Sequence, residues 1–136
     1  MSQLTVSPYI NFQGHAREAL EFYQRALGGE LTLLTFNSDG APKEASPDDA
    51  IMHGMLRSDD VMILATDGMP QYPPAVGDNM AITLMGYDKE RLTQVFEALS
   101  EGGNVKQSLK TEAWGDTFGW LEDKFKINWM VNITHS

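Results

Sequence analysis

The chain contains no cysteine. That excludes a disulfide framework, a thiolate zinc site, an iron–sulfur cluster and a cysteine nucleophile together. It also suits a reducing compartment, so a cytoplasmic protein is expected. Positive charge is scarce: 10 Lys and Arg stand against 19 Asp and Glu, a net charge of −9. Nucleic-acid binding draws its affinity from cations that displace condensed counterions, so nucleic acid drops out as a partner class. Adhesion to anionic lipid drops out for the same reason, whereas a cationic ligand stays compatible with the charge. No run reaches the roughly 18 apolar residues of a membrane span, so no membrane partner is expected. The opening Met1-Ser-Gln-Leu-Thr-Val-Ser-Pro has neither the basic nor the apolar region of a secretion signal. Gly-x-Ser-x-Gly and Walker-type loops are absent too, which removes the commonest nucleophile and phosphate-binding signatures.

What remains is ordinary globular material, 42% hydrophobic and 21% charged over 136 residues. That length suits one domain, or two small half-domains fused into one. The patterning favours the second description. Ala16, Ala19, Leu20, Tyr23, Ala26 and Leu27 form one apolar stripe, predicting a helix over 15–27 that stops at Gly28-Gly29. Leu92, Val95, Phe96 and Leu99 form another, predicting a helix over 89–101 that stops at Gly102-Gly103. Asp88 is its expected N-cap. An alternating run precedes each helix, 6–12 and 79–85, and each glycine pair leads into a further run, 30–36 and 104–110. Two more strands follow in each half: 50–57 and 61–66, turned by Ser58-Asp59-Asp60, then 118–121 and 127–133, turned by 122–126.

Strand, helix, three strands therefore occurs twice. The predicted fold is α+β, with two βαβββ modules in one chain forming a curved mixed sheet around a cleft. Residues 1–136 are expected to make a single domain, with module 1 at about 1–67, a Pro- and Gly-rich linker at about 68–78 and module 2 at about 79–136. The segment 37–49 carries two Pro, one Gly and four acids and reads as a surface loop, with a lid as the alternative.

Finer motifs carry a resemblance. Pro8-Tyr9-Ile10-x-Phe12-x-Gly14 followed by Ala19-Leu20-x-Phe22-Tyr23-x-x-x-Leu27-Gly28 resembles the start of the vicinal oxygen chelate superfamily. That group includes glyoxalase I, extradiol dioxygenases, fosfomycin-resistance enzymes and bleomycin-binding proteins. His53, the run Met62-Ile-Leu-Ala-Thr-Asp67-Gly-Met-Pro70, and Trp114-x-x-x-Phe118-Gly119-x-x-x-Asp123-Lys-Phe125-x-x-x-Trp129-Met are similar to its PhnB-like branch. The resemblance spans nearly the whole chain and implies paired βαβββ modules, matching the repeat. Some PhnB-like proteins bear a methyltransferase label, but no glycine-rich nucleotide loop opens a βαβ unit here. Lys126 stands where the branch usually has glycine, which predicts a different turn at that point.

The resemblance also implies a divalent metal held by His and Glu side chains projecting from strands. Carried over position by position, those ligand places fall on Ser7, on Met62 or Leu64, on Asn79 and on Met130. Strand alternation puts Ser7, Tyr9 and Asn11 on the cleft side, with Val6, Pro8, Ile10 and Phe12 toward the helix. In the second half Met80, Ile82 and Leu84 read as helix-facing and Asn128, Met130 and Asn132 as cleft-facing. A hydroxyl, an amide and thioethers do not suit a hard or borderline divalent ion. The expectation is therefore no metal and no cofactor.

The expected ligand-binding set is Tyr9, Asn11, His53, Asn79, Trp114, Phe118 and Met130, with catalytic residues left unassigned. His53 is the histidine placed for proton transfer, against a structural role bonded to a nearby backbone group or carboxylate. His15 reads as solvent-facing and His135 as part of a loose C-terminus. The leading function is a metal-free small-molecule binding protein of unknown ligand. Two alternatives stay open: a metal-dependent lyase or dioxygenase with unusual ligands such as His53 and Asp67, and an acidic protein that sequesters a drug. A homodimer is expected, because members of the superfamily commonly pair modules across chains.

Overall fold

The computed structural model describes residues 4–59 and 61–135. The first three residues, and Asp60 of the predicted turn, lie outside that range. The chain divides after Ala75 into two compact units. The first holds β1 (Tyr9–Asn11), α1 (Ala16–Leu27), β2 (Glu30–Phe36), β3 (Pro42–Glu44), β4 (His53–Ser58) and β5 (Val61–Thr66). The second holds β6 (Ile82–Gly86), α2 (Lys89–Ser100), β7 (Asn104–Thr111), β8 (Thr117–Glu122) and β9 (Asn128–Ile133). Among the described residues no helix is long and apolar enough to cross a membrane.

Sheet order confirms the repeat. The first sheet runs β1-β5-β4-β2-β3 and the second β6-β9-β8-β7. With β3 set aside, the two orders are the same. The opening strand of each module pairs parallel with its last strand, and the remaining pairs are antiparallel. The fold is α+β, two βαβββ modules.

Each helix buries the stripe its spacing dictates. Ala16, Ala19, Leu20, Phe22, Tyr23 and Leu27 of α1 are buried, and the helix lies over β2, β4 and β5. Beneath it are Leu56, Ile63 and Ala65, all fully enclosed. Phe22 joins the stripe unforeseen, packing its ring 5.8 Å from Tyr23. In the second unit Val95, Phe96 and Leu99 cover Leu121, Trp129, Val131 and Ile133. Burying one such side chain contributes about 1.5–3 kcal/mol. Asp88 caps α2 as predicted, its Oδ1 accepting from the Arg91 N–H at 3.1 Å.

The glycine pairs do the same work twice. Gly28 (φ 78°) and Gly102 (φ 75°) turn the chain out of each helix in the left-handed region. Gly29 and Gly103 then press against the neighbouring strand: a Cβ on either would collide with the carbonyl of Arg57 or of Glu122. Those contacts seat the next strand in register, Glu30 opposite Arg57 and Asn104 opposite Glu122.

Several boundaries differ from the pattern, each for a tertiary reason. The run 6–12 is a ladder only at Tyr9–Asn11, and Val6 is 94% exposed rather than packed under the helix. The run 79–85 becomes Ile82–Gly86; Asn79 precedes the strand and Met80 is 81% exposed. There the Asn128 side chain donates to the carbonyls of Asp78 and Met80, so a side chain rather than a ladder holds the chain. The strand expected from Ala50 begins at His53, because Ile51 bonds Asp67 through both its N–H and its carbonyl. The predicted loop 37–49 contains β3, which pairs with β2 from Leu34–Glu44 to Phe36–Pro42. Arg17 ties the chain beyond β3 to α1 by donating to the carbonyls of Ala45 and Ser46.

The turn between β8 and β9 is built on one carboxylate. Asp123 is buried; its Oδ1 accepts from the N–H groups of Phe125 and Ile127, and its Oδ2 accepts from the Trp129 indole at 2.8 Å. Lys126 adopts φ 72°, a left-handed conformation that favours glycine.

Removing the Asp123 carboxylate leaves the buried Trp129 N–H without this acceptor. We expect Asp123→Ala to lose about 2–4 kcal/mol in urea unfolding. Lys126→Gly should raise stability by roughly 0.5–1 kcal/mol, relief of left-handed strain outweighing the extra freedom of the unfolded chain; an unchanged or lowered melting temperature would contradict that account.

Candidate functional site

Strand alternation gives each sheet one face under its helix and one face turned away from it. In the first unit the register sets Tyr9, Leu64, Met55 and Thr32 in one row across the helix-free face. Met62 and Arg57 form the next row on one side. Asn11 pairs with Thr66, and His53 with Leu34, on the other side. Tyr9, Asn11 and His53 thus share a face, as the alternation predicts. Tyr9 is exposed, while Asn11 and His53 are half-buried.

Local bonds occupy part of this face. The Asn11 Oδ1 accepts from the Gln13 N–H at 2.9 Å, and the Thr66 hydroxyl donates to the Met52 carbonyl at 3.0 Å. Among the described residues the His53 ring has no hydrogen-bond partner, so the structural bond expected of it is not found.

Asp67 does not pair with His53. Its Oδ1 accepts from the N–H groups of Gly14 and Ala16 at 2.9 and 2.8 Å, and its Oδ2 from Ile51 at 2.8 Å. It therefore caps α1 from across the module, which explains how a helix starting after His15 lacks a side-chain cap of its own. His15 lies near Glu18, 3.5 Å away, on the exposed first turn. His135 is tied down rather than loose, its Nε2 standing 2.9 Å from the Thr117 hydroxyl.

In the second unit Phe118 and Met130 lie on the helix-free face, with Trp120 between them: Trp120 pairs with Met130, and Phe118 with Asn132. Trp114, in the β7–β8 turn, is 64% exposed and sets its ring 6.3 Å from Phe118 at 59°. Lys106 Nζ lies 5.6 Å from the Trp120 ring centroid, a cation–π contact. Trp114, Phe118, Trp120 and Met130 form an aromatic and thioether surface suited to stacking a planar group. Trp120 is absent from the sequence-derived set, although it stands two residues beyond Phe118 on the same strand face. Asn79 joins neither group, because it precedes β6 and is exposed. The flanking asparagines are structural: Asn128 holds the 78–80 segment, and Asn132 Nδ2 donates to Asp116 Oδ2 at 3.0 Å.

These residues do not fit the divalent metal implied by the resemblance. Among the described residues no three His, Cys, Asp or Glu side chains gather as a ligand set. The places carried over for ligands hold Ser7, Met62 or Leu64, Asn79 and Met130, and Asp67 is committed to three backbone N–H groups. A groove of about 380 Å³ lies elsewhere, between Arg17 and Glu21 of α1, Leu31–Leu34 of β2 and Glu44–Ala45. It contains none of the predicted residues and is the seam where Arg17 anchors the hairpin.

Comparison with known proteins agrees with the fold. Residues 4–132 match the family model described as 3-demethylubiquinone-9 3-methyltransferase. Protein YjdN of Escherichia coli K12 is 30% identical over 142 residues, covering 96% of this chain and 95% of that protein. The crystal structure of protein PA1353 from Pseudomonas aeruginosa is 34% identical, with TM-score 0.83, covering 98% of this chain and all of that one. A putative 3-demethylubiquinone-9 3-methyltransferase, PhnB protein, from Bacillus cereus shares the fold at 19% identity and TM-score 0.71, over 98% of this chain and 100% of that one. With the repeat, the sheet order and the full-length match in hand, the chain belongs to the family described as 3-demethylubiquinone-9 3-methyltransferase.

Proposed function

We propose that this chain is a cytoplasmic, homodimeric small-molecule binding protein that works without a bound divalent metal. The observation that carries this reading is the surface of Trp114, Phe118, Trp120 and Met130 on the helix-free face of the second module. Rings and a thioether hold a planar apolar group by stacking and dispersion, and none of them supplies a ligand for a hard cation. The helix-free face of the first module adds a polar set, Tyr9 and His53, the latter with a ring uncommitted among the described residues. The family description names a methyltransferase, yet the parallel pairs found are β1–β5 and β6–β9, each at one end of a sheet. That is not the doubly wound parallel sheet with a glycine-rich turn that binds nucleotide cofactors.

Sequestration of a cationic drug is the second reading. The net charge of −9 favours it, since an acidic chain attracts a cation.

Screening a library of metabolites and cationic drugs by thermal shift, before and after dialysis against EDTA, tests both. Ligands should raise the melting temperature equally in the two preparations, because a ligand of the native state adds RT ln(1 + [L]/Kd) to its stability. Trp120→Ala should weaken a hit about five- to tenfold, the worth of one aromatic contact. Stoichiometric zinc, nickel, iron or manganese in purified protein, with a shift abolished by EDTA, would overturn the metal-free reading. Affinity for cationic hits should fall as salt rises; salt-independent binding would remove the drug-sequestering alternative.

A further inference from the structure

Strand β7 carries surplus residues against β8 at two places. Val105 stands opposite Leu121, Gln107 opposite Trp120 and Lys110 opposite Phe118, so the register shifts between Val105 and Gln107 and again between Gln107 and Lys110. Each surplus residue makes a β-bulge, a device that re-aims side chains beside binding sites. In a regular ladder begun at Val105–Leu121, Phe118 would face Ser108, and Lys110 would face Asp116. The two bulges together move Lys110 along β8 from Asp116 to Phe118. It keeps its face of the sheet and exchanges an acid for an aromatic neighbour.

Both strands accommodate the exchange. Gly119 leaves room for the displaced backbone: a Cβ there would lie 2.9 Å from the Gln107 carbonyl oxygen and 3.0 Å from the Leu109 nitrogen. The acids of the β7–β8 turn are engaged by amides, Glu112 Oε1 accepting from Gln107 Nε2 and Asp116 Oδ2 from Asn132 Nδ2, each at 3.0 Å. Glu122 lies opposite Asn104, one row beyond Trp120. Lys106 and Lys110 are exposed, and among the described residues neither forms an ion pair. Lys106 reaches the Trp120 ring, and Lys110 stands beside Phe118, where opposed side chains have Cβ atoms about 5 Å apart.

We propose that the bulged strand β7 makes this face selective for a planar aromatic anion, such as an aryl carboxylate. Trp114, Phe118 and Trp120 take the ring, and Lys106 and Lys110 take the anionic group. This deepens the small-molecule reading above, on which it rests, by naming the charge of the ligand. Two ammonium groups beside the aromatic floor repel a bound cation and attract an anion. The net charge of −9 opposes an anion from afar, but screening over about 8 Å at physiological salt leaves the nearest charges to decide.

Three probes of one shape test the charge: a naphthalene carboxylate, the matching primary amide and the matching aminomethyl cation. Titration is followed by the indole N–H signals in proton–nitrogen NMR. Those of Trp114 and Trp120 should move, whereas that of Trp129, buried and bonded to Asp123, should not. The carboxylate should bind about fivefold tighter than the amide, with the cation weakest, and the preference should shrink as salt rises. Lys106→Gln and Lys110→Gln should each weaken the carboxylate about two- to fivefold and leave the amide unchanged, which also shows that the variants fold. An amide or cation bound as tightly as the carboxylate would overturn the anion selectivity while leaving the small-molecule reading in place. Lysine variants that weaken carboxylate and amide alike, or neither, would overturn it too. If none of the probes moves the Trp114 and Trp120 signals, both readings fall.

Discussion

One helix covers one face of a four- or five-stranded sheet, and each module of this chain has a single helix to offer. Almost everything else in the structure follows from that constraint. The face under the helix is packed with Leu56, Ile63 and Ala65 in one module and Leu121, Trp129 and Val131 in the other, all without exposure. The opposite face has no helix of its own, yet it is not polar. It carries Met55, Met62 and Leu64 in the first module and Phe118, Trp120 and Met130 in the second. A half-buried apolar face with no helix of its own module over it is a natural place for a ligand or a partner, and the stacking residues concentrate on it.

Carboxylates that look chemical in the sequence turn out to be architectural. Asp67 collects Gly14, Ala16 and Ile51, joining the start of α1 to the segment before β4. Asp123 collects Phe125, Ile127 and the Trp129 indole, closing the β8–β9 turn beneath α2. In both cases a buried or half-buried acid satisfies backbone donors that would otherwise lack a partner. With those acids committed, the helix-free faces carry mainly hydroxyl, amide, thioether and aromatic groups, with the His53 imidazole and the Arg57 guanidinium in the first module and Glu122 in the second. That inventory gathers no three His, Cys, Asp or Glu side chains among the described residues and so fits a hard divalent ion poorly.

The repeat was legible because its signals are local. Helical spacing reports which side of a helix is apolar, a glycine pair marks where the helix must turn, and both recur in order; α1 and α2 begin and end within one residue of where the pattern puts them. β2 and β5 coincide with their apolar runs, since each lies inside a ladder along its whole length. The partners of polar side chains were not legible in the same way. Gly14 and Asp67 are 53 residues apart, and only the parallel pairing of β1 with β5 brings them together. Asn79 looks like a strand residue until the Asn128 side chain takes hold of the chain beside it. The β3 hairpin is hidden in a segment whose proline, glycine and acids read as loop, because β2 supplies the edge that makes it a strand.

By itself, the sequence determined the class of fold, the number of modules and, within the strands that form, the side chains that point away from each helix. All of these depend on periodicity within one element, which neighbours in sequence fully specify. The tertiary structure alone decided which acids are spent on backbone donors, which strands end their sheets, and that Trp120 stands between Phe118 and Met130. Those outcomes depend on sheet order and register, which bring together residues that no local pattern connects.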